Sequence, residues 1–210
     1  MTTTQTDSAA LATALRRVPT QARSQQKVER AIAAAHALLA REGVDAVTLP
    51  RVADEAGVSV GALYQYLPDR EAVVTALSAV YHARHEARLD ELIAAAAAGP
   101  PEDPVGTVLD AVARVYREQA GTRALRATLQ TLAHLDRARA HKERMVAKVH
   151  RLLTVVGLVE ADAPDLVART VFFAADGAMH EAFAADARGD RALLDELTTM
   201  LRAYLAPERT

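Results

Sequence analysis

The sequence predicts an all-α protein of about nine helices, and three observations lead to this fold class. Hydrophobic residues are 50% of the 210 residues, and they recur at spacings of three and four, which places them on one face of a helix. Only 9 Gly and 8 Pro interrupt these stripes. No segment alternates apolar and polar residues with the period of two that a half-buried strand shows, so we expect no sheet.

Three helices are predicted in the first 67 residues. An amphipathic stripe indicates the first, and Gly43 follows where a C-cap is expected. Thr48 and Ser59 are good N-cap residues for the second and third helices, and Gly57 ends the second. The predicted ranges are 21–41, 48–57 and 59–66.

Six more helices are predicted after Pro68, which stops the third helix because proline cannot continue the backbone hydrogen-bond ladder. Asp69 is an N-cap for the fourth helix, and Asp103 followed by Pro104 begins the fifth in the order favoured at helix N-termini. Thr122 is the N-cap of the sixth. The predicted ranges are 70–98, 103–121, 122–135, 136–156, 164–187 and 190–205.

The composition excludes several classes of protein. The chain has no Cys, which rules out disulfide frameworks, thiolate zinc sites and cysteine nucleophiles and fits a reducing cytoplasm. The longest apolar stretches, 92–98 and 152–159, fall far short of the roughly 18 residues that span a bilayer. Residues 1–19 lack the charge order of a secretory signal, and we expect them to form a flexible basic arm.

The net charge of −2 conceals a basic N-terminal region. Residues 16–51 carry seven basic side chains and three acidic ones, which gives a local charge of +4. The N-terminal end of the chain is therefore basic, although the chain as a whole is not.

The segment from Thr48 to Val74 places two short helices around Gly57, which is the arrangement of a helix–turn–helix. Ala53 and Ala56 are small where the two helices would cross, and Gly57 can take the positive φ of a tight turn. The second helix would then expose hydroxyl groups that can bond to phosphate oxygens. This face comprises Ser59, Val60, Gly61, Ala62, Tyr64, Gln65 and Tyr66.

Residues 20–75 resemble the DNA-binding domain of the tetracycline-repressor (TetR) family of bacterial transcription regulators. The family pattern is a first helix ending in Gly, then Thr, then a string of the form IA..AGVS.G.LY.YF..KE.L. In this chain Leu67 replaces the usual Phe, Arg70 replaces the usual Lys, and Pro50 lies in the first turn of the second helix. The matching positions are Val52-Ala53, Ala56-Gly57-Val58-Ser59, Gly61, Leu63-Tyr64, Tyr66 and Arg70-Glu71.

The resemblance implies a role in DNA binding for each matched position. Anchoring of phosphates would fall to Thr48, Ser59, Tyr64, Tyr66 and Arg70. Reading of bases would fall to Val60, Gly61, Ala62 and Gln65. Only Gln65 has an amide suited to bidentate contact with adenine, worth about 1–3 kcal/mol of discrimination. Arg16, Arg17 and Arg23 are expected to add minor-groove or phosphate contacts.

The resemblance also implies the domain organisation. We expect a flexible basic arm at 1–19, a helix–turn–helix DNA-binding domain at 20–67, and a helical effector-binding and dimerisation domain at 68–210. A wide apolar stripe on the last helix and small residues on the preceding one favour a four-helix interface between two copies; the alternative is that both stripes close the protomer core. The predicted interface residues are Ala174, Gly177, Ala178, Leu194, Leu197 and Leu201.

A pocket for a small-molecule effector is expected between residues 76 and 180. The low aromatic content, 4%, favours a mostly aliphatic cavity and hence an apolar or amphipathic ligand. Each candidate lining residue has the alternative of a place in the core or on the surface. The candidates are Tyr81, His85, Tyr116, His134, Phe172 and Phe173.

An enzyme is not expected, because the possible catalytic motifs are incomplete. Two His-Glu pairs begin like the zinc motif HExxH, but Leu89 and Ala184 stand where its second His belongs. The chain also has no GxSxG, P-loop or GxGxxG string. We therefore expect no catalytic residue, cofactor or metal.

The predicted function is that of a cytoplasmic homodimer that represses transcription at a palindromic DNA operator and is released by a small molecule. Three alternatives stay open. An activator would share the same sequence features. A metal-responsive regulator of the same fold could use His82, His85 and Glu86, which share one helical face. A helical scaffold that binds protein would leave the helix–turn–helix unused.

Overall fold

The fold is described by a computed structural model over residues 5–118, 132–184, 186 and 188–206. This part of the chain contains nine α-helices and no strand, which confirms the predicted all-α class. The helices are α1 Gln5–Ala14, α2 Ala22–Glu42, α3 Leu49–Ala56, α4 Val60–Tyr64, α5 Arg70–Ala98, α6 Pro104–Glu118, α7 Leu132–Val155, α8 Leu166–Ala182 and α9 Arg191–Tyr204. A 3-10 helix, Val44–Ala46, lies between α2 and α3.

Helix α1 occupies residues that the sequence predicts as a flexible arm. Leu11 is 5% exposed and belongs to the hydrophobic core formed with α2 to α5, and the Asp7 carboxylate pairs with Arg84 at 2.7 Å. The prediction of a flexible segment at 1–19 is therefore wrong over Gln5–Ala14. A helix this short depends on tertiary contacts, which a local sequence pattern does not show.

The predicted boundary at Asp136 is also wrong. Helix α7 begins at Leu132 and continues through Asp136, whose side chain is exposed. A solvated aspartate is tolerated inside a helix even though its preference is for the cap. Most of the helix predicted at 122–135 lies outside the described residues. The other predicted helices are observed with shifts of up to three residues at their ends, except that α8 ends at Ala182, five residues before the predicted end at 187.

The chain divides into two compact units, residues 1–84 with 121–135 and residues 85–120 with 136–210. The first unit therefore extends beyond residue 67, where the sequence places the domain boundary. The reason is that the first turns of α5 bury Val73 and Leu77, 0% and 1% exposed, in the core of this unit.

The core of the first unit fixes the positions of α2, α3 and α4. Val28 and Leu38 on α2 are each 1% exposed, and Val52 on α3 and Leu63 on α4 are both fully buried at 0%. Burial of each such side chain stabilises the fold by about 1.5–3 kcal/mol. The short helices α3 and α4 are therefore held in place by α2.

The second unit has a separate aliphatic core. It includes Met145 and Leu152 of α7, Met179 of α8 and Leu197 of α9, all less than 9% exposed. Helix α9 packs against both α6 and α8. Among the described helices, none combines the length and the hydrophobicity that a membrane span requires.

Candidate DNA-binding surface and internal cavity

The turn between α3 and α4 has the geometry of a helix–turn–helix. Gly57 adopts φ 63° and ψ 40°, in the left-handed region that glycine enters without strain. The amide of Val58 donates to the carbonyl oxygen of Ala53 at 2.9 Å and so closes the end of α3. Ser59 then caps α4, because its hydroxyl oxygen accepts from the amide of Ala62 at 3.3 Å.

Helix α4 has one buried and one exposed face. Leu63 is completely buried and anchors the helix in the core. On the other face Gln65 is exposed and Tyr64 is 52% exposed, while Val60 and Ala62 are half-buried. The residues predicted to read bases are thus accessible together.

The other predicted phosphate contacts differ in exposure. Ser59 is exposed and Thr48 is half-buried, whereas Tyr66 is only 9% exposed and belongs to the core. Gly61, which is predicted to read bases, is exposed. The structure corrects the prediction that Tyr66 lies on the exposed face. The turn continues past Tyr64, since the amide of Tyr66 donates to the carbonyl oxygen of Leu63 at 2.9 Å. Tyr66 lies three residues after the buried Leu63 and therefore shares its face.

Arg70, predicted to anchor a phosphate, is engaged within the protein. Its Nη2 donates to the carbonyl oxygen of Val44 at 2.9 Å and to Oδ1 of Asp45 at 3.1 Å. These bonds attach the first turn of α5 to the 3-10 helix. Arg70 therefore positions the elements around the helix–turn–helix, and a phosphate would compete for the same guanidinium.

Three basic side chains on α2 form a groove with the turn before α4. Arg23, Lys27 and Arg30 follow one helical face. The groove is also lined by Gln26, Glu29 and Ala33 of α2 and by Gly57, Val58 and Ser59. In the described part of the chain none of these three cations has an ion-pair partner. By contrast, Arg41 and Arg51 are paired with Glu42 and Glu55. We name Arg23, Lys27 and Arg30 the α2 basic stripe.

Only part of this stripe is predicted from the sequence. The sequence analysis predicts a DNA contact for Arg23, whereas it counts Lys27 and Arg30 only in the local charge. The three residues are spaced by four and then three positions, and this spacing is the signal that identifies a shared helical face.

The second unit contains a cavity of about 100 Å³ with almost entirely apolar walls. Val108 and Val112 of α6, Val149 of α7 and Phe172 of α8 are among the residues that line it. The polar residues in the lining are His85, Tyr116 and Asp176. The rings of His85 and Tyr116 have their centroids 5.7 Å apart.

Three of the six predicted cavity residues line the cavity, namely His85, Tyr116 and Phe172. Tyr81 instead lies in the core of the first unit, 2% exposed and 5.8 Å from the ring of His36. Phe173 is 43% exposed, with Lys142 Nζ 5.2 Å from its ring centroid. The side chain of His134 lies outside the described residues.

These positions correct the predictions for Tyr81 and Phe173. Tyr81 lies one helical turn before His85, and this turn is enough to place it in a different core. Phe173 is adjacent to Phe172, so the helix directs the two rings to different faces.

The predicted interface residues fall into two groups. Leu197 and Leu201 are each 3% exposed in the core of the second unit, so the structure assigns them to the protomer core. Ala174, Ala178 and Leu194 are half-buried, and Gly177 is exposed. The exposed apolar surface on α8 and α9 comprises Leu166, Phe173 and Met200, at 65%, 43% and 49% exposure, with Gly177. We name it the α8–α9 apolar surface.

The helical face proposed for a metal is occupied by protein contacts. Glu86 accepts from Arg144 Nε and Nη2 at 3.0 and 2.9 Å, and its Oε1 lies 2.8 Å from His141 Nδ1. Among the described residues, no group of three or more metal-ligating side chains is gathered at one place. Burial opposes ionisation of Glu86, but the hydrogen bonds from His141 and Arg144 outweigh it and lower its pKa to about 2.

Two family models match the chain. The model described as "Bacterial regulatory proteins, tetR family" matches residues 31–77, and the model described as "Tetracyclin repressor-like, C-terminal domain" matches residues 100–205. The second match alone covers half of the sequence. No curated protein matches the chain significantly.

Several solved structures share the fold at low sequence identity. A TetR-family transcriptional regulator from Streptomyces coelicolor aligns over 89% of this chain and 99% of its own, with 21% identity and a TM-score of 0.63. The fatty acid degradation regulator FadR from Bacillus halodurans aligns over 87% and 96%, with 16% identity and a TM-score of 0.61.

A third similar structure is SmeT, the repressor of the Stenotrophomonas maltophilia multidrug efflux pump SmeDEF. It aligns over 85% of this chain and 88% of its own, with 22% identity and a TM-score of 0.57. SmeT has also been solved in complex with triclosan, and that structure aligns over 83% and 90% with 19% identity and a TM-score of 0.55.

The Glu86 contacts predict a specific loss of stability in acid. A carboxylate whose pKa is lowered on folding, here from 4.5 to about 2, contributes stability above pH 4.5 that is lost as the pH falls towards 2. Glu86→Gln should therefore lower the melting temperature at pH 7. Between pH 4.5 and pH 2 the melting temperature of the variant should fall less than that of the wild type. Thermal unfolding followed by circular dichroism measures both effects, with the exposed Glu160→Gln as the control. An unchanged acid response in Glu86→Gln would contradict the assignment.

Proposed function

Because the chain belongs to the TetR family of bacterial regulatory proteins, and is thus a DNA-binding transcriptional regulator, we propose that it is a homodimeric repressor released from a palindromic operator by a small apolar or amphipathic molecule. The observation that carries this proposal is the exposed face of α4 beside the α2 basic stripe. Such a surface is suited to binding DNA, and we propose that the protein does so in the cytoplasm.

The shape and charge of the first unit support insertion of α4 into the major groove. Gln65 and Tyr64 are exposed together on the far side from the buried Leu63. The α2 basic stripe lies across a groove from Ser59. A base-reading helix flanked by cations that hold the phosphates on either side is the usual arrangement of a helix–turn–helix on DNA.

The α8–α9 apolar surface supports dimerisation. Leu166 and Phe173, seven residues apart, share one face of α8, and Met200 is exposed on α9, which packs against α8. Large apolar side chains left exposed on packed helices are candidates for a protein–protein contact. The neighbouring Gly177 allows a second helix to approach closely. Two copies related by a dyad would present two α4 helices to a palindrome.

The cavity supports a ligand that is mainly hydrocarbon. Its walls are apolar apart from His85, Tyr116 and Asp176, so a polar group on the ligand would have to lie against one of these three side chains. The triclosan complex of SmeT concerns that protein, and it supports a small-molecule effector here by likeness of fold.

Helix α5 offers the means of coupling ligand binding to release from DNA. It is one uninterrupted helix in which Val73 and Leu77 belong to the core of the first unit and His85 lines the cavity. Displacement of His85 by a ligand would therefore act on the helix that supports the DNA-reading elements. Coupling free energies of about 1–3 kcal/mol are typical of such linkage.

The α2 basic stripe should be detectable as salt-dependent affinity for DNA. Lys27→Gln with Arg30→Gln should weaken binding and reduce the slope of log K against log salt by about 0.9 for each phosphate that is no longer neutralised. Fluorescence anisotropy with a labelled duplex from the region upstream of its own gene measures this. Arg188→Gln with Arg191→Gln, two exposed cations of the second unit, is the matched control. Failure of the folded wild-type dimer to bind at low salt would favour the protein-binding scaffold instead.

The proposed dimer should depend on Phe173. Phe173→Glu would place a charge in the interface, which costs far more there than in water, so the variant should sediment as a monomer and bind DNA at least tenfold more weakly. Arg114→Glu, an exposed charge reversal on α6, should leave the sedimentation coefficient unchanged. Sedimentation velocity distinguishes the two states, and a dimeric Phe173→Glu would place the interface elsewhere.

The cavity should accept an uncharged apolar probe. We expect benzene, whose size suits a cavity of about 100 Å³, to bind and to lower the affinity of the wild-type protein for the upstream duplex. Val112→Phe would fill part of the cavity and should weaken benzene binding, measured by titration calorimetry, at least tenfold. Ala140→Phe, which adds the same ring at an exposed position of α7, is the control. Equal benzene binding by Val112→Phe would show that the probe binds outside this cavity.

A further inference from the structure

Helix α1 is packed against the DNA-reading unit by apolar and polar contacts. Leu11 is 5% exposed within the core, and Ala14 and Leu15 pack against that core. The hydroxyl of Ser8 donates to Oε1 of Glu29 on α2 at 3.2 Å. The N-terminal segment therefore has a defined position.

The strongest contact of α1 is a buried bidentate ion pair between Asp7 and Arg84. Arg84 Nε donates to Oδ1 of Asp7 at 2.9 Å, and Nη2 donates to Oδ2 at 2.7 Å. The Asp7 side chain is 2% exposed and that of Arg84 is 20% exposed. Loss of one partner would leave the other charge buried without compensation, so the pair fixes the first turns of α1 on α5.

The chain after α1 reaches the end of the recognition helix. The backbone amide of Arg16 donates to the carbonyl oxygen of Tyr66 at 3.1 Å, directly after the exposed Gln65. Arg16 and Arg17 are both exposed, and within the range that the structure describes neither guanidinium has an ion-pair partner. Two uncompensated arginines thus lie beside the surface that the proposed function places on DNA.

We propose that α1, because it is packed on the first unit, fixes the positions of Arg16 and Arg17 so that they form a second contact with the DNA backbone. We call this positioning role of α1 a brace. The inference rests on the proposed function and adds a contact outside residues 31–77, which the DNA-binding family model matches. A fixed arginine loses less conformational freedom on binding than one on a flexible arm, so the brace increases affinity. The ligand is the phosphate of duplex DNA, and Asp7 and Arg84 are positioning residues.

The test uses the full chain and the labelled upstream duplex over a range of salt concentrations. Arg16→Gln with Arg17→Gln should bind at least tenfold more weakly, with a salt slope reduced by about 0.9 for each phosphate left without its cation, and with unchanged thermal stability. Arg188→Gln with Arg191→Gln removes the same charge from exposed positions in the second unit and should bind as the wild type does. Asp7→Asn keeps both arginines but should also bind more weakly, with faster amide hydrogen exchange in α1.

The outcomes separate this inference from the proposed function. If the wild type binds and the Arg16/Arg17 variant binds equally well with the same salt slope, the second contact does not exist and the proposed function stands. Suppose that the Arg16/Arg17 variant binds DNA more weakly, but Asp7→Asn binds DNA as the wild type does even though its amide hydrogen exchange in α1 is faster. The arginines then contact DNA without help from α1, and the positioning role of Asp7 and Arg84 is wrong. If the wild type itself does not bind DNA, the proposed function fails.

Discussion

Burial of Leu63 against α2 and α3 is the interaction that makes the proposed DNA-binding surface possible. Helix α4 has only five residues, too few to be stable in isolation. It exists because Leu63 is fully buried beside Val52, and because Gly57 and Ser59 define its start. The same packing directs Tyr64 and Gln65 outwards, so a hydrophobic contact on one face determines which side chains can meet DNA on the other.

Electrostatic pairing within the first unit is selective. Arg41 and Arg51 are neutralised by neighbouring glutamates, and Arg70 is bound to the 3-10 helix. Over the residues that the structure describes, the cations of the α2 basic stripe have no ion-pair partner. A chain with a net charge of −2 can therefore still present a cationic face to a polyanion, because binding depends on the local arrangement of charge and not on the total.

Local sequence signals predict the fold class and much of the site, and the failures have a common cause. Gly57, Ser59 and the buried stripe of α2 act through neighbouring residues, so their roles are visible in the sequence. The position of α1 is not visible in the sequence, because it depends on an ion pair between Asp7 and Arg84, which are 77 residues apart. Four residues predicted at functional surfaces are buried, because periodicity gives the face of a helix but not which element covers it. They are Tyr66, Tyr81, Leu197 and Leu201.

Selection of bound sequences from a random duplex library shows most directly whether two copies of α4 read neighbouring grooves of one duplex. We expect an enriched inverted repeat with half-sites about one helical turn apart. When Gln65→Ala is selected in parallel, the preference at one symmetry-related base pair in each half-site should disappear. Enrichment of no sequence, or of a single unrepeated motif that Gln65→Ala leaves unchanged, would be incompatible with a pair of reading helices.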